Sequence, residues 1–324
     1  MLGDLPNEKI NPLVIFGAGA SYDLVSEHDN RNFKEAEWRP PLTNNIFATN
    51  NNFFKKIQTG YGKDIDGLIS EVRSRMRSGM SFEEVLTGIH KDEWEEDKEN
   101  SEAMSLCWYL KMLFSEISDE CIKNVEGTNY SGFFRKLKRF CKDDEVFVVN
   151  FNYDCLAQYS LSNILACNFN TLDSYIDNSI KLIHIHGSVL WEGNKSGDVE
   201  VKNDIKTHSG TPVLAIPTRN KDFVCPSKHI EKLILNLRKV NAVIIIGWSG
   251  TDKYFAELLE LVGPQVRKLI VVSGENEGVE GARDILQNCG LNRLSCRMVW
   301  IPGFSVLNSR FYDFTEPLKA TDYF

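Results

Sequence analysis

The stretch Val146-Phe147-Val148-Val149-Asn150-Phe151-Asn152-Tyr153-Asp154 joins an apolar run to a polar end. Four consecutive β-branched or aromatic residues predict a strand that is buried on both faces, and the change to amide and carboxylate side chains marks where that strand emerges. In an open α/β sheet, ligands bind outside the carboxyl ends of the strands. The stretch therefore predicts a buried strand that ends at a ligand-binding edge.

Three other apolar runs end with small, imidazole or hydroxyl-bearing residues. Residues 13–16 lead into Gly17-Ala18-Gly19-Ala20-Ser21, residues 181–186 end at His186-Gly187, and residues 242–246 are followed by Gly247-Trp248-Ser249. Because the carboxyl ends of parallel strands meet at one edge of a sheet, we expect these groups to gather there.

The order of strands and helices predicts the fold class. Strands at 212–217, 242–246, 268–272 and 297–301 alternate with helices at 154–166, 227–239, 251–262 and 279–288, and residues 191–208 are expected to form a surface hairpin or loop. Strict alternation is typical of an α/β fold with a Rossmann-like, doubly wound parallel sheet.

Residues 45–142 show helical rather than strand periodicity, and Ser81-Phe82-Glu83-Glu84 is a capping box. We therefore predict a helical insertion at 45–142 in an α/β core formed by residues 1–44 and 143–324. The loop that precedes it is expected to end where Thr43 or Asn44 caps the next helix.

The composition excludes several classes of protein. The chain has 324 residues, 42% apolar, and a formal net charge of −8. This charge argues against direct nucleic-acid binding, and the cationic stretch at 134–139 fits a solvated helix face better than the alternative, a local nucleic-acid contact. No apolar run is long enough to span a membrane and no leader sequence is evident, so we expect a cytoplasmic protein. Eight cysteines without a Cys-x-x-Cys pair predict reduced thiols rather than a zinc ribbon.

The glycine turn has two interpretations. Gly17 and Gly19 would let the backbone approach a pyrophosphate at the start of a helix. A tight strand-to-helix turn without a ligand explains them about as well, because Tyr22 stands where a dinucleotide fingerprint has its third glycine. The acidic residue that would bind a ribose is not evident either, which disfavours a dehydrogenase.

His184 and His186 are two residues apart and would share a face of a strand that extends to residue 186. Such a pair can bind a metal ion, but no third ligand stands at a suitable spacing, so no metal site is expected.

Four motifs in this order resemble the nucleotide-binding core of the sirtuin family: Gly17-Ala18-Gly19-Ala20-Ser21, Asn152-x-Asp154, His186-Gly187 and Gly247-x-Ser249. The resemblance is closest to the bacterial sirtuin-like NAD hydrolases of anti-phage defence, and it covers residues 10–50 and 145–300. It implies a sheet that holds NAD across its strand ends, with the glycine turn under the pyrophosphate.

The resemblance also implies roles for individual residues. Asn152 would orient the attacking water or the nicotinamide ribose, His186 would act as a base, and Asp154 would hold the nicotinamide carboxamide. The implied NAD-binding residues are Gly17, Ala18, Gly19, Ser21, Asn44, Gly247 and Ser249. The alternative interpretations are a buried core histidine for His186, a turn former for Asn152 and a helix N-cap for Asp154, which is compatible with a ligand role.

Two features of sirtuin deacylases are absent: the zinc module with its two cysteine pairs, and the Ile-Pro-Asp-Phe-Arg element, which Pro41-Leu42-Thr43-Asn44 replaces. The prediction is therefore an NAD glycohydrolase, with NAD as substrate and no metal. Cleavage of the nicotinamide bond needs no acid, because the leaving group is already cationic; the site must position water and stabilise an oxocarbenium-like transition state. A silent nucleotide-binding sensor or scaffold, and a protein deacylase, are the alternatives.

An ungated NAD hydrolase would poison its host, so we expect control by homo-oligomerisation or by a second protein. By resemblance, the candidates for that protein are a HerA-type ATPase and a short Argonaute, with residues 45–142 as the contact surface.

Overall fold

The computed structural model describes residues 11–24, 39–61, 66–92, 96–124, 127–140, 145–205, 209–218, 223–263, 265–266, 268–273, 278–291 and 304–308. Its centre is a six-stranded parallel sheet. In chain order the strands of the protein are β1 (Pro12–Phe16), β2 (Val146–Asn150), β3 (Ile180–His184), β4 (Gly187–Gly193), β5 (Val199–Val201), β6 (Thr211–Leu214), β7 (Ala242–Ile246), β8 (Lys268–Ser273) and β9 (Phe304–Asn308).

The strand order of the large sheet is β3-β2-β1-β7-β8-β9, and all its pairs are parallel. Counted within this sheet alone, the order is that of a Rossmann fold, in which the direction of winding reverses at the first strand. The predicted fold class, a doubly wound parallel α/β sheet, is confirmed. β1, β2, β3 and β7 are buried along their whole length, as expected for strands that are covered by helices on both faces.

Ten α-helices occur in the described parts of the chain: α1 (Ala18–Tyr22), α2 (Asn52–Tyr61), α3 (Asp66–Arg77), α4 (Phe82–Asp92), α5 (Glu96–Asn124), α6 (Asn129–Phe140), α7 (Leu156–Leu165), α8 (Ser227–Leu237), α9 (Lys253–Leu259) and α10 (Gly278–Asn288). Helices α2 to α6 lie between β1 and β2 along the chain. The last of these covers the sheet itself, because Tyr130, Phe133 and Phe134 pack edge-on against Phe16 with ring centroids 4.9, 5.6 and 5.9 Å away.

The helix caps agree with the sequence in one place and differ in another. The capping box is confirmed, since Ser81 N donates to Glu84 Oε2 at 2.7 Å and Glu84 N donates to Ser81 Oγ at 3.3 Å. The predicted cap of α2 at Thr43 or Asn44 is wrong. Asn51 caps this helix, because its Oδ1 accepts from Phe53 N at 3.0 Å and from Phe54 N at 3.2 Å.

A second sheet, antiparallel and three-stranded, has the order β5-β4-β6 and interrupts the predicted alternation. The hairpin expected at 191–208 is present as β4 and β5, but β4 begins earlier, and the strand expected at 212–217 is β6 in this small sheet. Gly187 allows β4 to approach β6, because its φ is +85° and a Cβ there would lie 1.9 Å from Val213 O. The strand predicted at 297–301 lies outside the described residues.

Helix α5 is tied to the small sheet by a buried ion pair. Lys111 Nζ lies 2.7 Å from Glu192 Oε1, and both side chains are 1% exposed. Glu192 Oε2 accepts from Gly210 N at 2.7 Å and from Ser209 N at 3.1 Å. The ion pair and these hydrogen bonds to Glu192 together tie α5 to β4 and to residues 209–210.

Candidate functional site

The register of the large sheet brings four strand ends to one level. Phe16 pairs with both Asn150 and Ile246, and Asn150 pairs with His184. The residues that follow these ends therefore lie along one edge, where β1 separates the two halves of the sheet. This is the topological switch point at which open α/β sheets bind ligands.

The glycines of the predicted turn dock it onto the end of β7. Gly17 N donates to Ile246 O at 3.0 Å and Gly19 N donates to Gly247 O at 2.9 Å. A Cβ on Gly17 would lie 2.5 Å from Gly247 O, and a Cβ on Gly19 would lie 2.8 Å from Gly247 Cα. Gly247 itself has a φ of +61°, which disfavours any side chain. The three glycines thus permit close backbone packing, and two turn amides that could face a phosphate are used inside the protein.

Behind this turn, four side chains form a buried polar network. Asn152 Nδ2 lies 3.0 Å from Gly17 O, 3.0 Å from Ser21 Oγ and 3.1 Å from Tyr130 OH. Ser21 Oγ donates to Asp154 Oδ2 at 2.8 Å, so the Tyr130 hydroxyl, also 2.8 Å away, donates to Ser21. Asn152, Asp154 and Ser21, which the sequence singled out, are therefore brought together, and Tyr130 from α6 completes the group.

The orientation of the Asn152 amide follows from its partners. The Gly17 carbonyl oxygen can only accept, so Nδ2 must point towards it and Oδ1 must point away. Asn152 keeps 7% of its surface exposed, and within the described part of the chain its Oδ1 accepts no hydrogen bond. Oδ1 is thus the atom of Asn152 that is left for a water molecule or a ligand.

Asp154 faces inwards. It is 1% exposed, and its Oδ1 accepts from Leu156 N at 3.1 Å at the start of α7. Burial raises the pKa of Asp154 to about 6, although the hydrogen bonds from Ser21 and Leu156 oppose this rise. Burial and the nearby Asp154 carboxylate raise the pKa of Tyr130 well above its usual value. Asp154 therefore caps α7 and orients Ser21.

His186 is held by a carboxylate that the sequence did not single out. Its Nε2 lies 2.8 Å from Asp252 Oδ2, and both residues are buried. Asp252 also caps α9, because its Oδ1 accepts from Phe255 N at 2.8 Å. The pair joins the segment after β3 to the first turn of α9.

An aromatic group adjoins both polar groups. Phe151 stacks on Trp248 with ring centroids 4.9 Å apart, and it meets His186 and Phe255 edge-on at 5.0 and 5.1 Å. Phe151 is half-buried, whereas Trp248 and Phe255 are buried. Since Phe151 and Asn152 are consecutive, this apolar wall directly adjoins the polar network.

The remaining predicted residues lie in different surroundings. Ala18 is half-buried at the start of α1, and Ser249 is exposed with its Oγ 3.0 Å from Thr251 Oγ1. Asn44 Oδ1 accepts from Phe82 N at 3.1 Å, so its side chain bonds to the start of α4. Contact of these three residues with NAD stays a prediction.

His184 and His186 do not share a strand face as predicted. β3 ends at His184 and the next two residues form a turn, so the two rings reach different partners. Among the described residues there is no group of three or more His, Cys, Asp or Glu that could hold a metal ion. The search for a membrane-spanning helix, made over the same residues, found none.

Sequence reasoning missed Tyr130 and Asp252. Tyr130 carries no local signal, because it lies on a helix assigned to the insertion and reaches Asn152 only through the fold. Asp252 had a signal, since an aspartate just before a helix is a common N-cap. Its bond to His186, 66 positions away, could not be inferred from that pattern.

No protein-family model matches the chain, and no curated protein matches it. Among solved structures it is similar to a Sir2 homologue in complex with NAD, at 12% identity and a TM-score of 0.44, covering 97% of this chain and 89% of that one. It is also similar to a mutant Sir2 homologue in complex with 2′-O-acetyl ADP-ribose, at 11% identity and a TM-score of 0.47, covering 96% and 91%. The fold class rests on the strand order and register of the sheet rather than on these similarities.

Proposed function

We propose that this chain is an NAD glycohydrolase that cleaves NAD to nicotinamide and ADP-ribose. The observation that carries the proposal is the fixed amide of Asn152 at the switch point of the sheet, with Nδ2 held from inside and Oδ1 left for water or ligand. The four sequence motifs that resemble sirtuin-like NAD hydrolases meet at the same edge.

The reaction requires little from the protein beyond position and charge. The bond between the ribose C1′ and the nicotinamide nitrogen breaks, its electron pair leaves with nicotinamide, and a water oxygen bonds to C1′. Asn152 Oδ1 accepts a hydrogen bond from that water and directs its lone pair at the carbon. Because the amide is held by three contacts, little reorganisation is needed in the transition state.

His186 is the proposed base that receives the water's proton. Its Nε2 lies 2.8 Å from Asp252 Oδ2, and this contact fixes the orientation of the ring. A buried carboxylate at hydrogen-bonding distance stabilises the imidazolium that forms, which is the role of the carboxylate in the Ser-His-Asp triad. Asp252 therefore acts through His186 and is a positioning residue.

We assign Asp154, Ser21 and Tyr130 to positioning as well. Ser21 Oγ and Tyr130 OH both contact Asn152 Nδ2, and Asp154 holds Ser21. In this arrangement Asp154 acts on NAD through the network and not by contact with the carboxamide. We place the phosphates and riboses of NAD beside the closely packed turn of Gly17, Gly19 and Gly247, next to Ala18 and Ser249.

A silent nucleotide-binding protein is the second candidate. The observation that favours it is the burial of His186, which is 1% exposed, together with the internal use of the Gly17 and Gly19 amides. Such a protein would bind NAD at the same edge and release no nicotinamide.

We further propose that the activity is gated and serves anti-phage defence in the cytoplasm. The support is the sequence resemblance to defence-associated sirtuin-like NAD hydrolases. It favours a homo-oligomer or a complex with a HerA-type ATPase or a short Argonaute, in contact with residues 45–142.

The test is nicotinamide release by the wild type, Asn152→Ala and Asn163→Ala. Asn163 is exposed on α7, so its replacement is a matched control for the loss of an asparagine amide. We expect release by the wild type and the control, and a loss of about a hundredfold or more in Asn152→Ala. This variant should keep the native circular dichroism spectrum but melt at a lower temperature, because buried polar atoms lose a hydrogen-bond partner. NAD binding without release by any variant would identify the silent binder instead.

A further inference from the structure

Four buried rings pack together on the inner side of Asn152. Tyr175 meets Trp191, His184 and His229 at ring-centroid distances of 5.5, 5.9 and 6.2 Å, and Trp191 lies 5.8 Å from His184 and 6.0 Å from His229. All four side chains are at most 1% exposed. We call this group the ring cluster.

Three nitrogens of the ring cluster are unsatisfied. His184 Nε2, Trp191 Nε1 and His229 Nδ1 have no hydrogen-bond partner within the part of the chain that the structure describes. The Tyr175 hydroxyl lies beside Trp191 and donates to Gln158 Oε1 at 2.6 Å. Native proteins rarely leave a buried polar group unsatisfied, so three in one cluster require an explanation.

For two of these three nitrogens it is settled whether the atom donates or accepts a hydrogen bond. His229 Nε2 lies 2.9 Å from Leu172 O, and a carbonyl can only accept, so Nε2 carries the proton and Nδ1 is an acceptor. The indole Nε1 of Trp191 is always a donor. Burial lowers the pKa of His229 and lowers that of His184 to about 4, so both imidazoles are neutral at neutral pH.

The third atom, His184 Nε2, depends on the tautomer. His184 Nδ1 lies 3.4 Å from the acceptor Asn152 O and 3.3 Å from the donor Asn150 Nδ2. A proton on Nδ1 makes Nε2 an acceptor, and a proton on Nε2 makes it a donor. A ligand of the ring cluster must therefore donate to His229, accept from Trp191, and do either towards His184.

We propose that His184 Nε2, Trp191 Nε1 and His229 Nδ1 share one buried water molecule. Water meets all three requirements in either tautomer and makes the three hydrogen bonds that are usual for buried water. A cation cannot accept from the indole N–H, and an anion cannot donate to the imidazole nitrogen. The site thus selects a small neutral molecule that both donates and accepts.

The water site bears on the proposed function through His184. This ring contacts the main-chain oxygen of Asn152, and Asn150 Oδ1 accepts from Asn152 N at 3.3 Å. A water that fixes the far side of the His184 ring therefore fixes the main chain that aims the Asn152 amide. His184 is therefore a positioning residue. Its positioning role rests on the proposed function, whereas the water site does not.

The first test is a high-resolution crystal structure of the full chain. We expect a single density peak at hydrogen-bonding distance, about 2.7–3.2 Å, from all three nitrogens. The proposal is overturned if no peak is found, if the nitrogens bond directly to protein atoms, or if the peak is an ion.

The second test is a double-mutant cycle on unfolding with Trp191→Phe and His229→Phe. Each change removes one hydrogen bond to the water, so the second should cost less once the first is made; we expect a coupling of about tenfold in the unfolding equilibrium. Phe169→Leu with Trp191→Phe is the control pair, because Phe169 packs on Tyr175 at 4.9 Å but has no polar atom. Additive effects in the first cycle would contradict a shared water.

The third test separates the two sides of His184. An asparagine amide reaches the position of Nδ1, and a glutamine amide reaches that of Nε2. We expect His184→Asn, which loses the density peak, and His184→Gln, which keeps the peak but loses the contact with Asn152 O, each to lower kcat about tenfold with KM unchanged. A wild-type kcat in either variant overturns the positioning role. If the wild type itself cleaves no NAD, the proposed function fails, while the density peak and the cycle still decide the water site.

Discussion

His184 and His186 are two residues apart, yet their surroundings are opposite. His184 ends β3 inside the ring cluster, where no carboxylate is in contact with it in the described structure, and its pKa is lowered to about 4 by burial. His186 lies in the turn beyond, with its Nε2 2.8 Å from Asp252 Oδ2. The same side chain is thus kept neutral in one place and given a partner for its charged form in the other. The partner, rather than the residue type, decides which histidine suits proton transfer.

The largest expected effect separates the two histidines in catalysis. His186→Ala should lower the rate of NAD cleavage by about a hundredfold or more, because the proposed base is lost and Asp252 cannot replace it. His184→Asn changes a residue that only positions Asn152 and should lower the rate by about tenfold. Steady-state nicotinamide release measures both, with circular dichroism as the check on folding. Equal losses in the two variants would remove the distinction between the histidines.

The second expected effect is on how the free energy of unfolding depends on pH. The pKa of His184 is lower in the folded protein, about 4 against 6.5, so the unfolded chain binds its proton more tightly and stability rises with pH across this window. The pKa of Asp154 is higher in the folded protein, about 6 against 3.8, so stability falls as pH rises across that window. Each contribution is worth about 3 kcal/mol, and the two largely cancel.

Single substitutions should reveal these two opposite pH dependences of the unfolding free energy. Relative to the wild type, Asp154→Asn should gain about 3 kcal/mol of unfolding free energy between pH 4 and 6.5, and His184→Asn should lose about as much. Urea unfolding at a series of pH values measures both differences. A difference that does not change with pH in either variant would contradict the burial argument for that residue.

The smallest expected effect divides the two tasks of Asp252. Asp252→Asn keeps an N-cap for α9 but loses the charge beside His186, whereas Asp252→Ala loses both. We expect similar losses of kcat, about tenfold, and an additional destabilisation of about 1 kcal/mol in Asp252→Ala alone. Kinetics and thermal unfolding of the two variants provide the comparison. Full activity in Asp252→Asn would show that the carboxylate serves only the helix.

The large sheet could be predicted because its strands are buried on both faces. The apolar runs at β1, β2, β7 and β8 end within one or two residues of the predicted positions. The small sheet could not be predicted in this way, because β4 contains Ser188 and Glu192, which are polar but buried. The buried charge of Glu192 is balanced by Lys111, which lies 81 positions earlier in the chain (192 − 111).

The residues of the candidate site could likewise be predicted only in part from the sequence. Asn152, Asp154 and His186 could be placed at one edge, because each follows a recognisable strand. Tyr130 and Asp252 arrive from helices, and their hydrogen bonds to Asn152 and His186 depend on how those helices pack. The turn after β3 that separates His184 from His186 was missed because the apolar pattern continues to Ile185.

The most direct test of the account is the product analysis of NAD incubated with the assembled, purified protein and no other substrate. We expect nicotinamide and ADP-ribose in equal amounts, since water is the only acceptor, with no change on adding an acetyl-lysine peptide or a zinc chelator. Nicotinamide that forms only in the presence of the peptide, together with O-acyl-ADP-ribose, would contradict hydrolysis and identify a deacylase.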